Sequence, residues 1–315
     1  MVTSKTSSTK GLTSNPRQQR VLRGVRVLSL ALNLPGPAAL MRLQAMGAHC
    51  TKLEPPVPPG STSTSGDPMA HYRPKAYQTM HQGVRTVQAD LKTAPGQAVL
   101  QRLLRNTDVL ITSFRPSALN KLGLRWKSLQ QQYPQLSCVA IVGAPGARAE
   151  EPGHDLTYVA EQGVVDGLQL PASLFADMGG SLMASEAVLK ALMLRAQPGR
   201  TQGKGVLLEV ALSDAAAYLA LPRHWGLTTP KGAVGGAHAG YQIYPCLDGR
   251  VAVAALEPHF AKRLLTTAGI TQVGPITPHT PQAHQAVAQF FAGQTRRQLD
   301  RLASSQDIPL HTLPR

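Results

Sequence analysis

Between residues 24 and 142 the sequence alternates short apolar runs with longer segments of helical periodicity. Residues 25–30 are typical of a buried strand, residues 38–46 of a helix and residues 50–53 of a second strand. A strand, a crossover helix and a second strand form the repeating unit of a parallel sheet. We therefore predict an α/β protein built on a Rossmann-like, doubly wound parallel sheet.

The same alternation continues along most of the chain. It predicts further strands at residues 84–91, 108–111, 136–142 and 206–210, and further helices at residues 96–105, 119–132, 178–196 and 213–221. Residues 241–255 are typical of a β-hairpin that turns at Asp248-Gly249, and the remainder is predicted to be helical with proline breaks.

These patterns divide the chain into four segments. We predict a basic tail without fixed structure at residues 1–23, a large α/β domain at 24–226, a glycine-rich linker at 227–240 and a small α+β domain at 241–315. The tail is rich in Ser, Thr, Lys and Arg and lacks the apolar stretch of a secretory signal.

Charge and composition limit the classes of partner. The 32 Lys and Arg residues outnumber the 17 acidic ones, which favours an anionic ligand or simply a basic, solvated surface. A nucleic-acid partner is not expected, because the basic residues are dispersed and aromatics make up only 4% of the chain. No apolar run approaches membrane-spanning length. Three dispersed cysteines predict a reducing compartment, the cytoplasm, and no metal site.

Several motifs occur in an order typical of one protein family. The first part of the chain contains Gly24-Val25-Arg26-Val27-Leu28, Leu34-Pro35-Gly36-Pro37, Lys52-Leu53-Glu54-Pro55-Pro56, Arg85-Thr86-Val87-Gln88-Ala89-Asp90-Leu91 and Ser113-Phe114-Arg115-Pro116. This ordered set resembles the class III CoA-transferase superfamily (CaiB/BaiF-like). The resemblance implies that the large domain binds CoA, that Arg85 and Arg115 contact its phosphates, and that CoA enters as part of the substrate, with no permanently bound cofactor.

Three further motifs resemble the α-methylacyl-CoA racemase branch of that superfamily. They are Gly153-His154-Asp155, Ala176-Asp177-Met178-Gly179-Gly180 and Leu256-Glu257-Pro258. By this resemblance His154, Asp177 and Glu257 are the catalytic residues, and Gly179 and Gly180 let the thioester approach the backbone. It also implies an interlocked homodimer, and it predicts that the family's segment that returns to the large domain is absent after residue 315.

Racemisation requires two groups that exchange a proton at the carbon next to the thioester carbonyl. A histidine serves as acceptor or donor, because its ordinary pKa lies near about 6.5. Asp177 serves as the second group if burial raises its pKa; its position before two glycines also predicts a helix N-cap. In the alternative, a CoA-transferase, Asp177 attacks the thioester and forms an anhydride. A third possibility is a degenerate, non-catalytic member of the family.

Overall fold

A computed structural model describes residues 20–199 and 203–315. The prediction of an unstructured tail therefore falls largely on residues outside the described ranges. Leu22, which that prediction included, is buried against the sheet, and its N–H donates to the carbonyl of Met46 at 3.0 Å. The described chain divides after Leu219 into two compact units.

The first unit has six strands and nine helices within its described residues. The strands are β1 (Arg26–Ser29), β2 (His49–Glu54), β3 (Arg85–Gln88), β4 (Val109–Thr112), β5 (Ser137–Val142) and β6 (Leu207–Ala211). The helices are α1 (Pro35–Ala45), α2 (Pro68–Tyr72), α3 (Pro74–Met80), α4 (Ala94–Leu104), α5 (Pro116–Lys121), α6 (Trp126–Gln132), α7 (Asp155–Glu161), α8 (Phe175–Ala196) and α9 (Leu212–Leu219). A short 3₁₀ segment, Gly146–Glu150, follows β5.

All six strands are parallel, in the order β3-β2-β1-β4-β5-β6. This is the order of a doubly wound α/β sheet, in which the strand sequence reverses between β1 and β4. Ligands of such sheets bind beyond the carboxyl ends of the strands near that reversal. The loops that follow β1, β4 and β5 therefore define where a site is expected.

Helices cover both faces of the sheet, as the continuous apolar strands require. One face packs against α1, α7 and α8, with Leu40, Val159 and Val188 in its core. The other packs against α4 and α6, with Leu100 and Leu129 in its core. The predicted doubly wound sheet is confirmed.

The second unit is a small α+β structure. It contains α10 (Leu221–His224), β7 (Tyr241–Cys246), β8 (Gly249–Ala254), α11 (Pro258–Thr267), α12 (Pro281–Ala292), α13 (Arg296–Gln306) and β9 (Leu310–Leu313). The three strands form an antiparallel sheet in the order β7-β8-β9. Its core includes Val251, Leu264, Val287 and Phe291.

Three details correct the sequence prediction. Residues 119–132 were predicted as one helix but form parts of α5 and α6, because Gly123 adopts a positive φ of 73° between them. The last strand, β9, was predicted as helical or irregular. The prediction that Asp177 caps a helix is also wrong: Leu174 is the N-cap of α8, and Asp177 is the third residue of the helix.

None of the helices within residues 20–199 and 203–315 combines the length and apolar composition that crossing a bilayer requires.

Candidate active site

Asp177 lies in the first turn of α8, a helix of 22 residues that packs against the sheet. Ala176, Gly179 and Gly180 are buried around it, while the Asp177 side chain itself is half-buried. The helix begins at Phe175, two residues before Asp177. The N–H of Asp177 therefore has no acceptor inside the helix, and its acceptor lies outside it. A carboxyl group is thereby held in a partly apolar environment at a helix N-terminus.

That outside acceptor is Asp155, the first residue of α7. Its Oδ1 accepts the backbone N–H of Asp177 at 2.9 Å, and its side chain is only 4% exposed. His154 immediately precedes Asp155 and is exposed. The N–H of His154 donates to Oγ1 of Thr157 at 3.1 Å, and this hydroxyl donates back to the His154 carbonyl at 2.7 Å. Asp155 thus links the residue next to His154 with the backbone of Asp177, the two predicted catalytic residues of the first unit.

The electrostatic environment shifts the proton affinity of Asp177. Burial, followed by the nearby carboxylate of Asp155, raises the pKa of Asp177 to about 6, although His154 acts in the opposite direction. An aspartate with this pKa exchanges protons close to neutral pH. It therefore meets the requirement for a general acid or base.

Tyr158 on α7 forms one wall beside these residues. Its ring occupies the space next to Gly143 and Gly153, where a Cβ atom on either glycine would overlap its hydroxyl. Burial raises the pKa of Tyr158, and Asp177 raises it further, whereas Arg115 lowers it. Arg115 consequently belongs to the same electrostatic neighbourhood as Asp177.

Hydrogen bonds fix the loop that carries His154. The carboxylate of Glu150 accepts from both the N–H and the hydroxyl of Ser117, at 2.6 and 2.8 Å, and so joins this loop to the start of α5. Arg148 forms salt bridges with Glu151 at 2.9 Å and with Glu161 at 3.1 Å. These contacts position the loop after β5 next to the turn that holds Arg115.

The two arginines predicted to bind CoA phosphates are not brought together. Arg115 follows the carboxyl end of β4, at the same edge of the sheet as Asp177. Arg85 begins β3 at the amino edge, where it lines an open groove of about 1600 Å³ together with Arg26, Arg42 and Arg102. A role in CoA binding stays a prediction for both residues.

Gly179 and Gly180 contact the neighbouring helix α9. A Cβ atom at Gly180 would overlap Leu212, and one at Gly179 would lie 3.0 Å from Leu219 and 3.3 Å from Ala215. These glycines therefore allow α8 and α9 to pack closely. Their predicted role in admitting a thioester stays untested.

Glu257, the third predicted catalytic residue, belongs to the second unit. It is the exposed N-cap of α11 and is followed by Pro258, a residue that suits the first helical position. Its assignment as a catalytic residue stays a prediction.

A cluster of buried charges, which we call the Lys52 cluster, lies where β2 ends. It comprises Lys52, Glu54 and Asp67, all at most 1% exposed, with Tyr77 and His81 around them. The Lys52 ammonium contacts Asp67 and lies 3.0 Å from Oε1 of Glu54, which also accepts the Tyr77 hydroxyl at 2.7 Å. Among the described residues Glu54, Asp67 and His81 have metal-ligand geometry, but the Lys52 ammonium already contacts both carboxylates.

The Lys52 cluster holds the loop that follows β1. Asp67 accepts the N–H of Asn33, which has a positive φ of 63°, and the N–H of Met69 at the start of α2. The Tyr72 hydroxyl at the end of α2 lies 3.4 Å from Oδ1 of Asn33. Burial and then the charges of Asp67 and Asp177 raise the pKa of Tyr72. The Lys52 cluster thus supports Asn33 and, through it, Tyr72, whose pKa responds to the charge of Asp177.

The sequence had indicated some of these residues but assigned them no role. Asp155 belongs to the motif that drew attention to His154, and an acidic residue at the first position of a helix was the available signal. Asp67 precedes Pro68, a typical helix start. Neither signal revealed the partner, because Asp155 bonds to a residue 22 positions away and Asp67 to one 34 positions away.

A doubly wound sheet whose carboxyl edge carries an imidazole and a carboxyl group that interact electrostatically suits acid–base or nucleophilic chemistry. The chain belongs to CoA-transferase family III, whose model matches residues 22–314.

Individual relatives include both kinds of enzyme in this family. The human α-methylacyl-CoA racemase is 29% identical over 267 residues, which cover 79% of this chain and 65% of the racemase. The succinate–glutarate CoA-transferase of Agrobacterium fabrum is 29% identical over 280 residues, covering 82% of this chain and 69% of the transferase. The chain therefore spans about two thirds of the length of these relatives.

A solved structure confirms the fold. The crystal structure of a hypothetical protein from Mycobacterium tuberculosis superimposes with a TM-score of 0.75 at 22% identity, covering 93% of this chain and 85% of that one.

Proposed function

We propose that this chain is an acyl-CoA racemase or epimerase. It would remove the proton from the carbon next to the thioester carbonyl and return a proton to the opposite face of that carbon. The observation that carries this proposal is the pair His154 and Asp177, in which burial and Asp155 raise the pKa of Asp177 to about 6. A two-base reaction requires a second group that can hold a proton near neutrality, and Asp177 meets that requirement.

In one direction neutral His154 accepts the α-proton and becomes an imidazolium, which leaves an enolate. The protonated Asp177 carboxyl then donates its proton to the other face of the carbon and becomes a carboxylate. The reverse direction exchanges these roles. The Asp177 N–H is bonded to Asp155. The N–H groups of Phe175 and Ala176, which also have no acceptor within the helix, are suited to stabilise the enolate oxygen.

Two other residues complete the proposal. Glu257 is proposed as a third catalytic residue on the strength of its motif, Leu256-Glu257-Pro258. Arg115 would bind a phosphate of CoA, since it lies at the carboxyl edge and influences the electrostatics of Tyr158 beside Asp177. The substrate class is a CoA thioester with one hydrogen on a substituted α-carbon.

Proton exchange tests the proposal directly. A 2-methylacyl-CoA is incubated with the protein in deuterated water, and loss of the α-proton signal is followed by NMR in the absence of any free acid. We expect exchange with the parent protein and its loss in His154→Ala and Asp177→Ala. His49→Ala is the control, because His49 is an exposed histidine at the amino edge of the sheet. Exchange that is as fast in His154→Ala as in the parent would contradict the two-base assignment.

A CoA-transferase is the second candidate, favoured by the similarity to the Agrobacterium fabrum enzyme. Here the Asp177 carboxylate attacks the thioester carbonyl, the C–S bond breaks, and CoA thiolate leaves an acyl–aspartyl anhydride. Thiolate attack on the aspartyl carbonyl then forms an aspartyl–CoA thioester and releases the first acid. The acceptor carboxylate attacks this thioester and displaces the thiolate, which then attacks the acceptor acyl carbonyl of the new anhydride; the product is the new acyl-CoA and the free Asp177 carboxylate. This reaction needs a free acid as acceptor, and hydroxylamine traps the activated Asp177 carboxyl. CoA binding without exchange or transfer identifies a non-catalytic member.

We also propose that the protein works as a homodimer. Leu182 and Met193 on α8 and Tyr218 on α9 are large apolar residues with 48%, 66% and 69% exposure. A solvent-exposed apolar surface of this kind is typical of a protein–protein contact. Light scattering on the purified chain measures the mass, and a monomer at all concentrations contradicts the proposal.

The thiols agree with a cytoplasmic location. Cys50, Cys138 and Cys246 are free and buried. Free thiols are usual in a reducing compartment, so we propose that the protein acts in the cytoplasm.

A further inference from the structure

Asp155 occupies an unusual position between the two proposed proton-transfer residues. It follows His154 directly in the chain, and its Oδ1 accepts the backbone N–H of Asp177 at 2.9 Å. One carboxylate therefore connects the start of α7, next to His154, with the first turn of α8. A side chain in this position affects both the geometry and the electrostatics of the pair.

The charge of Asp155 is buried without a cation. Its side chain is 4% exposed, and it takes part in none of the salt bridges among the described residues. Buried carboxylates are normally paired. An unpaired negative charge in a partly apolar region acts strongly on a second carboxyl group nearby, because the local dielectric screens it weakly.

We infer that Asp155 is a positioning residue, whose buried carboxylate ties the first turn of α8 to the start of α7 and places an unpaired negative charge close to Asp177. This inference rests on the proposed function for its catalytic consequence. The consequence is that Asp177 carries the proton that it donates to the substrate.

The other ionisable groups around Asp177 do not replace this effect. At the N-cap of α7, His154 favours the carboxylate form of Asp177. Within α7, Tyr158 is neutral at pH 7. Within α2, Tyr72 is also neutral at pH 7. Besides burial, Asp155 is the group that raises the pKa of Asp177.

Asp155→Asn tests the charge separately from the hydrogen bond. The asparagine Oδ1 retains an acceptor for the Asp177 N–H, while the negative charge is removed. Aspartate carboxyl carbons are labelled with ¹³C and titrated by NMR, and Asp177→Asn identifies the signal of Asp177. We expect the Asp177 titration to move to lower pH in Asp155→Asn and to remain at its parent value in Asp155→Glu.

The matched control is Asp166→Asn. Asp166 is an exposed aspartate in the same unit, and within the described part of the chain its carboxylate has no hydrogen-bond partner. This variant removes the same charge and should leave the Asp177 titration unchanged. If Asp155→Asn does not fold in a thermal unfolding measurement, Asp155→Ser, which is smaller and keeps a hydroxyl acceptor, is titrated instead.

The catalytic consequence is measured as a pH profile of α-proton exchange. For each unit by which the Asp177 titration falls, the protonated fraction above that pH decreases about tenfold. In the direction that uses Asp177 as donor, kcat of Asp155→Asn should therefore decline at a lower pH than kcat of the parent, with little change in KM.

Two results would overturn the inference. One is an Asp177 titration that is the same in Asp155→Asn and in the parent; the other is equal loss of exchange at every pH, which indicates a purely structural role. If the parent itself catalyses no exchange, the proposed function fails, but the NMR titration still decides whether Asp155 controls the protonation of Asp177.

Discussion

The backbone N–H of Asn33 donates to both carboxylate oxygens of Asp67, each at 3.2 Å. This contact joins the loop after β1 to the loop before α2, and the Lys52 ammonium holds the same carboxylate from the sheet side. A fully buried ion cluster therefore shapes the carboxyl edge of the sheet next to the candidate active site. Such clusters stabilise a protein only while they are complete, because removing one partner leaves a buried charge without compensation.

Asp67→Ala is accordingly expected to destabilise the protein strongly. The variant leaves Lys52 with Glu54 alone and removes the acceptor for Asn33 and for the first turn of α2. We expect a loss of about 3–5 kcal/mol in the free energy of unfolding, measured by urea denaturation. The control is Glu186→Gln, which breaks the exposed pair with Lys190 and should cost about 0.5 kcal/mol or less. Similar losses in the two variants would contradict the importance of the buried cluster.

Alanine substitutions at Gly179 and Gly180 are expected to have different effects on the free energy of unfolding. Alanine favours a helix over glycine by about 1 kcal/mol, and at Gly179 its methyl group would have neighbours at 3.0 Å and 3.3 Å. At Gly180 the methyl group would overlap Leu212, and overpacking of this kind costs about 1–3 kcal/mol. We expect Gly180→Ala to unfold at lower urea concentration than Gly179→Ala. If Gly180→Ala keeps parental stability but loses activity, the glycine serves the substrate rather than the packing of α9.

Asp177→Asn is expected to make the folded protein more stable at neutral pH. The pKa of Asp177 in the folded protein is about 6, above the ordinary value of 3.8, so the folded state binds this proton more tightly than the unfolded state. Stability therefore falls as the pH rises from about 4 to about 6, and above that range the ionised group costs roughly 3 kcal/mol. Urea denaturation between pH 4 and pH 8 should show an advantage for Asp177→Asn that grows through this window and then stays constant. An equal advantage at pH 4 and pH 7 would show that ionisation is not the cause.

Arg115→Ala and Arg85→Ala compare the two edges of the sheet. Loss of an arginine that binds a phosphate should raise the KM for acyl-CoA about tenfold or more, since a hydrogen bond to a charged group contributes about 1.5–3 kcal/mol. We expect this effect for Arg115→Ala, because Arg115 lies at the edge that carries Asp177. Arg85→Ala tests in the same way whether Arg85, at the amino edge, binds a phosphate of CoA. An unchanged KM in Arg115→Ala removes this residue from the CoA site.

The fold was largely predictable because its strands are short, apolar and buried. β4 and β5 each lie within one residue of the predicted strand, since every residue from Val109 to Thr112 is buried. β9 was missed because its four residues are mostly half-buried and its two polar residues lie next to each other between two leucines, which gives no strand periodicity. Its pairing with β8 depends on a contact between residues about sixty positions apart.

The candidate site was predictable only in part, for a similar reason. The motifs identified His154 and Asp177 as catalytic residues, which stays a prediction; the structure shows an electrostatic influence of His154 on Asp177. The Lys52 cluster was not predicted, because Lys52 and Glu54 occupy alternate positions of a strand and a sequence pattern does not show that a later loop covers both. The sequence showed that residue 155 is acidic, but it did not show that the carboxylate of Asp155 accepts the N–H of Asp177.

The bond between Asp155 and Asp177 also bears on how substrate range can change. It closes the segment from Asp155 to Asp177, within which Leu168 and Leu170 are exposed. The length and composition of the connection between α7 and α8 can then be altered while the bond between Asp155 and Asp177 is kept. Under the proposed function, exchanged or inserted sequences in this connection would change acyl-group preference and leave the proton-transfer residues in place.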